Sequence, residues 1–297
     1  MAWHQLQLTV EKAQAADIES LLEKLGALSV TLDDAADEAL LEPAPGEAPL
    51  WQKTRITGLF SAEQDTQQQL HSEISRLAGP EIGLRLTWEV VEDRQWERVW
   101  LDDFQPMKFG RKLWICPDGQ RPEQSAGIFI DLDPGLAFGT GTHPTTALCL
   151  NWLDRQRLEG ATVMDFGCGS GILAVAALKL GARKVIAIDH DPQALEATRA
   201  NAEKNGVLEQ LQILHSRDLP QIAVDLIVAN ILAGTLIELE ATLAASIKPA
   251  GTIILSGLLR EQVAQVSAAY LPHFILAAPT VQDNWVLLEG ERRQKAV

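Results

Sequence analysis

Seven consecutive residues, Asp165-Phe166-Gly167-Cys168-Gly169-Ser170-Gly171, have the types and spacing of a ligand-binding turn. An apolar strand pattern over residues 161–164 precedes them, and an apolar helix pattern over 171–180 follows. Glycines let bare backbone approach a ligand, and the helix that follows aims its N-terminus at the same point. One strand later, Val185-Ile186-Ala187-Ile188-Asp189 places a carboxylate at a strand's C-terminal end, twenty residues past Gly169. A ribose hydroxyl pair is held at such a position in doubly wound sheets. Strand, acid, three glycines, helix, strand and acid, in that order, point to a nucleoside-containing cofactor.

The spacing separates cofactor classes. A dinucleotide motif G-x-G-x-x-G begun at Gly167 would need its third glycine at Ile172, and Gly171 comes one residue early. The run acid-x-Gly-x-Gly-x-Gly instead resembles motif I of the S-adenosyl-L-methionine (AdoMet) methyltransferases. AdoMet has no phosphate. Its amino-acid end carries an ammonium and a sulfonium, so Asp165 beside the turn suits it electrostatically. Asp189 is then expected to hold the ribose hydroxyls through two acceptor oxygens, with Gly167 and Gly169 exposing backbone to the cofactor.

Two further segments belong with this turn. Gly135-Leu136-Ala137-Phe138-Gly139-Thr140-Gly141-Thr142-His143-Pro144-Thr145-Thr146 is a dense loop ahead of a helix, and it lacks the G-K-[ST] of a phosphate-binding loop. Helix capping accounts for one threonine. The crowding of glycines with Phe138 suggests a lid over the methionine end of the cofactor, with a structural role for the His143 ring. Val228-Ala229-Asn230 ends another apolar strand on a polar side chain, where open α/β sheets bind ligands. Amino-methyltransferases acting on flat nitrogens have Asn or Asp followed by Pro-Pro and an aromatic. Here Asn230 precedes Ile231-Leu232-Ala233. The missing aromatic disfavours a base or amide acceptor and leaves an aliphatic amine, which Asn230 is expected to position.

The elements that must position these residues divide the chain. Residues 1–95 alternate as β-α-β-β-α-β, the ferredoxin-like order. They hold seven Lys and Arg against seventeen Asp and Glu, a net of −10 out of −15 for the whole chain. A solvated acidic face and a recognition module for a basic partner both fit that excess. Residues 96–112 form a Trp-rich linker, and an amphipathic helix is expected over about 94–111. From 113 to 297, helices fit 145–155, 171–180, 192–205, 233–247 and 259–270. Strands fit 162–165, 184–189, 211–214, 225–228, 252–256, 275–280 and 285–289. Such alternation predicts a doubly wound, mainly parallel sheet, and the lack of a helix between the last two strands predicts an antiparallel final one.

Length and composition set outer bounds. A chain of 297 residues makes one large or two ordinary domains. Cys116, Cys149 and Cys168 are odd in number and far apart, which suits a reducing cytosol and makes no metal-binding spacing. Cys168 reads as a small residue filling the turn, because no His or Lys stands near it to lower its pKa. The net charge of −15 argues against direct nucleic-acid readout. Neither a signal peptide nor a membrane span is expected, so the expected location is cytoplasmic.

The segments Phe138-Gly139-Thr140-Gly141-Thr142-His143-Pro144-Thr145-Thr146, Asp165 to Gly171 as quoted, and Asn230-Ile231-Leu232-Ala233-Gly234 together resemble the PrmA family. That family methylates the eleventh protein of the large ribosomal subunit, and the resemblance covers the whole chain. It implies a class I AdoMet methyltransferase with a Rossmann-like seven-stranded sheet, plus an N-terminal ferredoxin-like α+β domain. It implies AdoMet as cofactor, with contacts at Thr146, Gly167, Asp189 and Asn230. The implied acceptors are the N-terminal α-amine and lysine ε-amines of a basic ribosomal protein, gripped by the acidic domain. The expected enzyme is a monomer. The residues alone leave open an rRNA or small-molecule N-methyltransferase, and a ribosome-binding module that merely keeps the fold.

Overall fold

The computed structural model describes residues 2–36, 50–61, 67–92, 105–117, 120–122, 126–132 and 141–294. The chain forms two compact units, residues 1–99 and 100–297.

The first unit contains β1 (Ala2–Glu11), α1 (Lys12–Lys24), β2 (Ser29–Asp34), β3 (Lys53–Ser61), α2 (Gln67–Ala78), the short α3 (Pro80–Gly83) and β4 (Thr87–Glu92). Its antiparallel sheet has the order β2-β3-β1-β4, which is the ferredoxin-like arrangement. The cause is periodicity. Leu6, Leu8 and Val10 alternate onto one face of β1, and Ala15, Ile18 and Leu22 follow helical spacing on α1. They close one core with Ile56, Phe60, Leu70 and Ile74.

The second unit begins with a small sheet of β5 (Met107–Phe109), β6 (Leu113–Pro117) and β7 (Ile128–Leu132). The helix expected over 94–111 is corrected here. Residues 93–104 lie outside the described residues, and Met107–Phe109 is a strand paired with β6. Gly110 turns this hairpin at φ +62°. The buried Asp154 carboxylate accepts the N–H groups of Arg111, Lys112 and Leu113 at 2.7, 3.1 and 3.1 Å. Those donors therefore serve a carboxylate and are not spent on a helical turn.

The larger sheet follows, with α4 (Pro144–Arg155), β8 (Thr162–Phe166), α5 (Ile172–Lys179), β9 (Lys184–Asp189), α6 (Pro192–Lys204), β10 (Leu211–His215), β11 (Val224–Asn230), α7 (Ala233–Ala245), β12 (Ile247–Leu259), α8 (Val263–Tyr270), β13 (Phe274–Leu276), β14 (Thr280–Gln282) and β15 (Trp285–Arg292). Its order is β10-β9-β8-β11-β12-β15-β13, with β14 also paired to β15. The first five strands run parallel, and β15 is antiparallel to its neighbours. This is the class I methyltransferase sheet. One strand expected over 275–280 is instead β13 and β14, because Pro279 has no N–H to give a ladder.

Successive residues of β8 enter opposite cores. Val163 joins the helices α4 and α5, while Met164 joins α7 and α8. Burial on both faces explains why these strands are continuous apolar runs. It also leaves one edge of the sheet, the C-terminal ends of β8, β9 and β11, as the place where polar side chains meet. Cys116, Cys149 and Cys168 are buried free thiols. No described helix is long and apolar enough to cross a membrane.

Candidate active site

The glycine turn is held from two sides. The N–H groups of Gly167 and Cys168 donate to the Ile188 carbonyl at 2.8 and 3.0 Å, which ties the turn to β9. From α6, the Thr198 hydroxyl donates to Gly169 O at 3.0 Å and Asn201 Nδ2 to Ser170 O at 2.9 Å. Gly167, Gly169 and Gly171 have φ of +77°, +52° and +78°, the left-handed region that disfavours side chains. A Cβ at Gly167 would collide with Ile231 Cγ2, and one at Gly171 would lie 2.9 Å from the Thr198 side chain. Burial pushes the Cys168 thiol up, so this residue fills space in the turn and is no nucleophile.

Both acids sit where the turn can use them. Asp189 Oδ2 accepts the Gly169 N–H at 2.9 Å, and Oδ1 accepts those of His190 and Asp191 at 2.7 and 3.1 Å. Three donors fix a carboxylate that still faces the cavity. Asp165 is buried, and its Oδ2 accepts the Ala174 N–H at 2.9 Å. Its Oδ1 has no partner among the described residues. Burial raises the Asp165 pKa to about 7. The Ala174 N–H pulls it down, and the Asp189 charge pushes it up.

Asn230 ends β11, and its Nδ2 donates to Thr146 Oγ1 at 3.3 Å, joining residues 84 apart in sequence. His143 caps α4. Its Nδ1 accepts the Thr145 N–H at 3.4 Å and lies 2.7 Å from Thr145 Oγ1. The ring stands edge-on to Trp285 with centroids 4.7 Å apart, and burial lowers its pKa, keeping the imidazole neutral at pH 7.

These residues surround a cavity of about 630 Å³ at the strand ends. Its size is that of a cofactor or small-ligand site. Gly167, Asp189 and Asn230 line it, while Thr146 reaches it through Asn230 and Gly169 through Asp189. Phe166, Ile231, Leu232, Leu239 and Trp285 give it apolar walls. Of the expected lid over 135–146, residues 135–140, Phe138 included, lie outside the described residues.

Sequence reasoning passed over several lining residues: His190, Ser216, Gly257 and Trp285. Gly257 had a signal. It interrupts an apolar strand, which marks a bulge or a close approach. Both occur, since the β12–β15 register shifts between Leu255 and Leu258, and Gly257 at φ +87° has no room for a Cβ beside the Ile231 carbonyl.

A nucleoside cation fits this arrangement. Asp189 offers fixed acceptors for hydroxyls, the turn offers bare backbone, and Asp165 holds buried acidic capacity behind it. The apolar remainder suits a reaction needing a dehydrated nucleophile. Comparisons with known proteins agree. The family model described as "Ribosomal protein L11 methyltransferase (PrmA)" matches residues 2–293. A ribosomal protein L11 methyltransferase of Nitrosococcus oceani is 47% identical over 293 residues, covering 99% of this chain and 100% of that one. One of Hahella chejuensis is 49% identical over 295 residues, 98% of this chain and 99% of that one. The crystal structure of a ribosomal protein L11 methylase from Lactobacillus delbrueckii subsp. bulgaricus superposes with a TM-score of 0.60 at 34% identity, over 64% of this chain and 100% of that one.

Proposed function

The chain belongs to the ribosomal protein L11 methyltransferase (PrmA) family, and from that premise we propose that it methylates the N-terminal α-amine and lysine ε-amines of ribosomal protein L11. The cofactor is AdoMet. One observation carries the site assignment: Asp189, the Gly167 turn and Asn230, from three different strands, line a single apolar-walled cavity.

Bound AdoMet supplies a methyl group on a sulfonium, already activated for in-line displacement. The protein's own residues then bind, orient and dehydrate. Asp189 accepts the ribose hydroxyls, held in place by the N–H groups of Gly169, His190 and Asp191. Gly167 lets the cofactor lie on backbone. Asp165, with a pKa raised to about 7, would be held in its charged form by the cofactor's cationic end and then supply negative potential behind the turn. Asn230 has its Nδ2 occupied by Thr146, which directs Oδ1 to accept an N–H of the incoming amine and orient its lone pair.

The amine must be neutral to attack. From reference values of about 7.7–8.0 for an α-amine and 10.4 for lysine, deprotonating lysine at pH 7 costs about 3.5 kcal/mol more. The apolar wall and the cofactor's positive charge would lower the pKa of either amine, and so the cost of deprotonating it.

Residues 1–95 serve as the substrate-recognition domain, and the catalytic domain takes in the β5–β6 hairpin as well as residues 113–297, since both belong to the unit of residues 100–297. The net charge of −10 on residues 1–95 complements a basic ribosomal protein. The enzyme acts in the cytoplasm as a monomer and reads no nucleic acid directly. Purified enzyme offered L11, rRNA and free lysine with labelled AdoMet tests the acceptor. Label in L11 alone is expected, and label in rRNA or free lysine with none in L11 would overturn the proposal.

A further inference from the structure

Ile231 occupies the space between the glycine turn and the end of β11. Its Cγ2 fills the volume that a side chain at Gly167 would need. On its other side, its peptide rests on Gly257. A Cβ there would collide with the Ile231 carbonyl oxygen and lie 2.8 Å from its carbon and 3.0 Å from its nitrogen. The Ile231 N–H donates to Ser256 O at 3.2 Å. Two glycines in left-handed conformations therefore grip one isoleucine, at +77° and +87°. Gly167, Asn230, Ile231 and Gly257 all line the same cavity. Ile231 is β-branched, so its side chain has few rotamers and no easy way to turn aside.

We propose that Ile231 is a specificity-determining residue that limits the alkyl group transferred to one carbon. The inference rests on the reading of Gly167 as cofactor contact and Asn230 as acceptor contact. A group carried from a cofactor resting on Gly167 to an amine held by Asn230 would have to pass the Ile231 side chain, and an ethyl or allyl group would need room that Cγ2 fills. With that side chain trimmed, S-adenosyl sulfonium compounds bearing ethyl or allyl become substrates. In the transfer, the alkyl carbon–sulfur bond breaks with its electron pair to sulfur, leaving a thioether. The amine lone pair forms the carbon–nitrogen bond, and the displaced N–H proton passes to water.

The test compares the native enzyme with Ile231→Ala and Ile231→Val. Calorimetry gives Kd for AdoMet and for its ethyl and allyl counterparts, and mass spectrometry gives the alkyl group added to L11. A pocket excluding one extra methylene discriminates by about 10–200-fold. The native enzyme is therefore expected to disfavour the ethyl compound by at least about tenfold in both readouts. Ile231→Ala should bring the Kd ratio to about threefold or less, whereas Ile231→Val, which keeps both γ-carbons, should stay near the native ratio. An unchanged ratio in Ile231→Ala, a ratio relaxed equally by Ile231→Val, or a native enzyme indifferent to ethyl overturns the proposal. Asp189→Ala separates this failure from failure of the cofactor placement. It should weaken all three sulfonium compounds alike, and unchanged affinities would instead remove the placement itself.

Discussion

The Asp189 carboxylate and the Gly169 N–H are joined by a 2.9 Å hydrogen bond across twenty residues of chain. This contact makes the glycine turn and the end of β9 a single unit. The acid proposed to hold the cofactor also holds the loop proposed to cradle it. Changing either residue acts on both.

Asp189→Ala should weaken AdoMet binding by about 1.5–3 kcal/mol, the cost of losing hydrogen bonds to a charged acceptor. Because Asp189 also accepts three backbone N–H groups, a lower melting temperature should accompany the loss. Calorimetry and thermal denaturation on the same sample check both. Affinity equal to that of the native enzyme would show that the ribose is held elsewhere.

Gly167→Ala should abolish detectable AdoMet binding. The new methyl group must displace Ile231, and the backbone at φ +77° costs a non-glycine residue about 1–2 kcal/mol. Retained binding with a normal melting temperature would mean that the loop moves freely, contrary to its ties to Ile188 and α6.

Asp165 predicts a pH dependence. Its folded pKa is raised from 3.8 to about 7, so the native state keeps a proton that the unfolded chain has released. The associated stability is full below about pH 4, falls as pH rises toward 7, and is flat beyond. Asp165→Asn removes this penalty. Urea denaturation without cofactor should show the variant gaining on the native enzyme by about 2.7 kcal/mol from pH 5 to pH 8, the worth of the two pH units between 5 and the raised pKa. Parallel stability profiles would refute the buried, protonated carboxyl.

The bond between Asn230 and Thr146 invites a double-mutant cycle. Asn230→Ala and Thr146→Val should each lower kcat/KM for L11, and the pair should fall short of additivity by about 0.5–1.5 kcal/mol. Strict additivity would mean that Thr146 does not orient Asn230.

Salt should separate recruitment from chemistry. Charge attraction is screened over about 8 Å at physiological ionic strength. Raising salt should therefore increase KM for L11 while leaving the calorimetric AdoMet affinity nearly unchanged. Equal sensitivity of both would remove the acidic domain as the source of recognition.

What could be read from sequence was local. The run Asp165 to Gly171 and Asp189 is legible because spacing along one βαβ unit determines where those residues lie. Asn230 is legible as a polar residue closing an apolar strand. Gly257 and Trp285 are not, since their place in the site comes from the pairing of β12 with β11 and β15. No spacing encodes that register. Residues 107–109 depart from the expected helix for a similar reason. Their strand depends on Asp154, more than forty residues away, accepting the hairpin's N–H groups.

The three buried thiols have a practical consequence. Burial raises the pKa of Cys116, Cys149 and Cys168 alike, that of Cys149 to about 12, so none presents a thiolate at neutral pH. Alkylating dyes should pass over the native protein. A single cysteine introduced on an exposed surface, such as at Ser72 on α2, would then take a fluorophore or spin label by itself, with no need to strip the natural cysteines first.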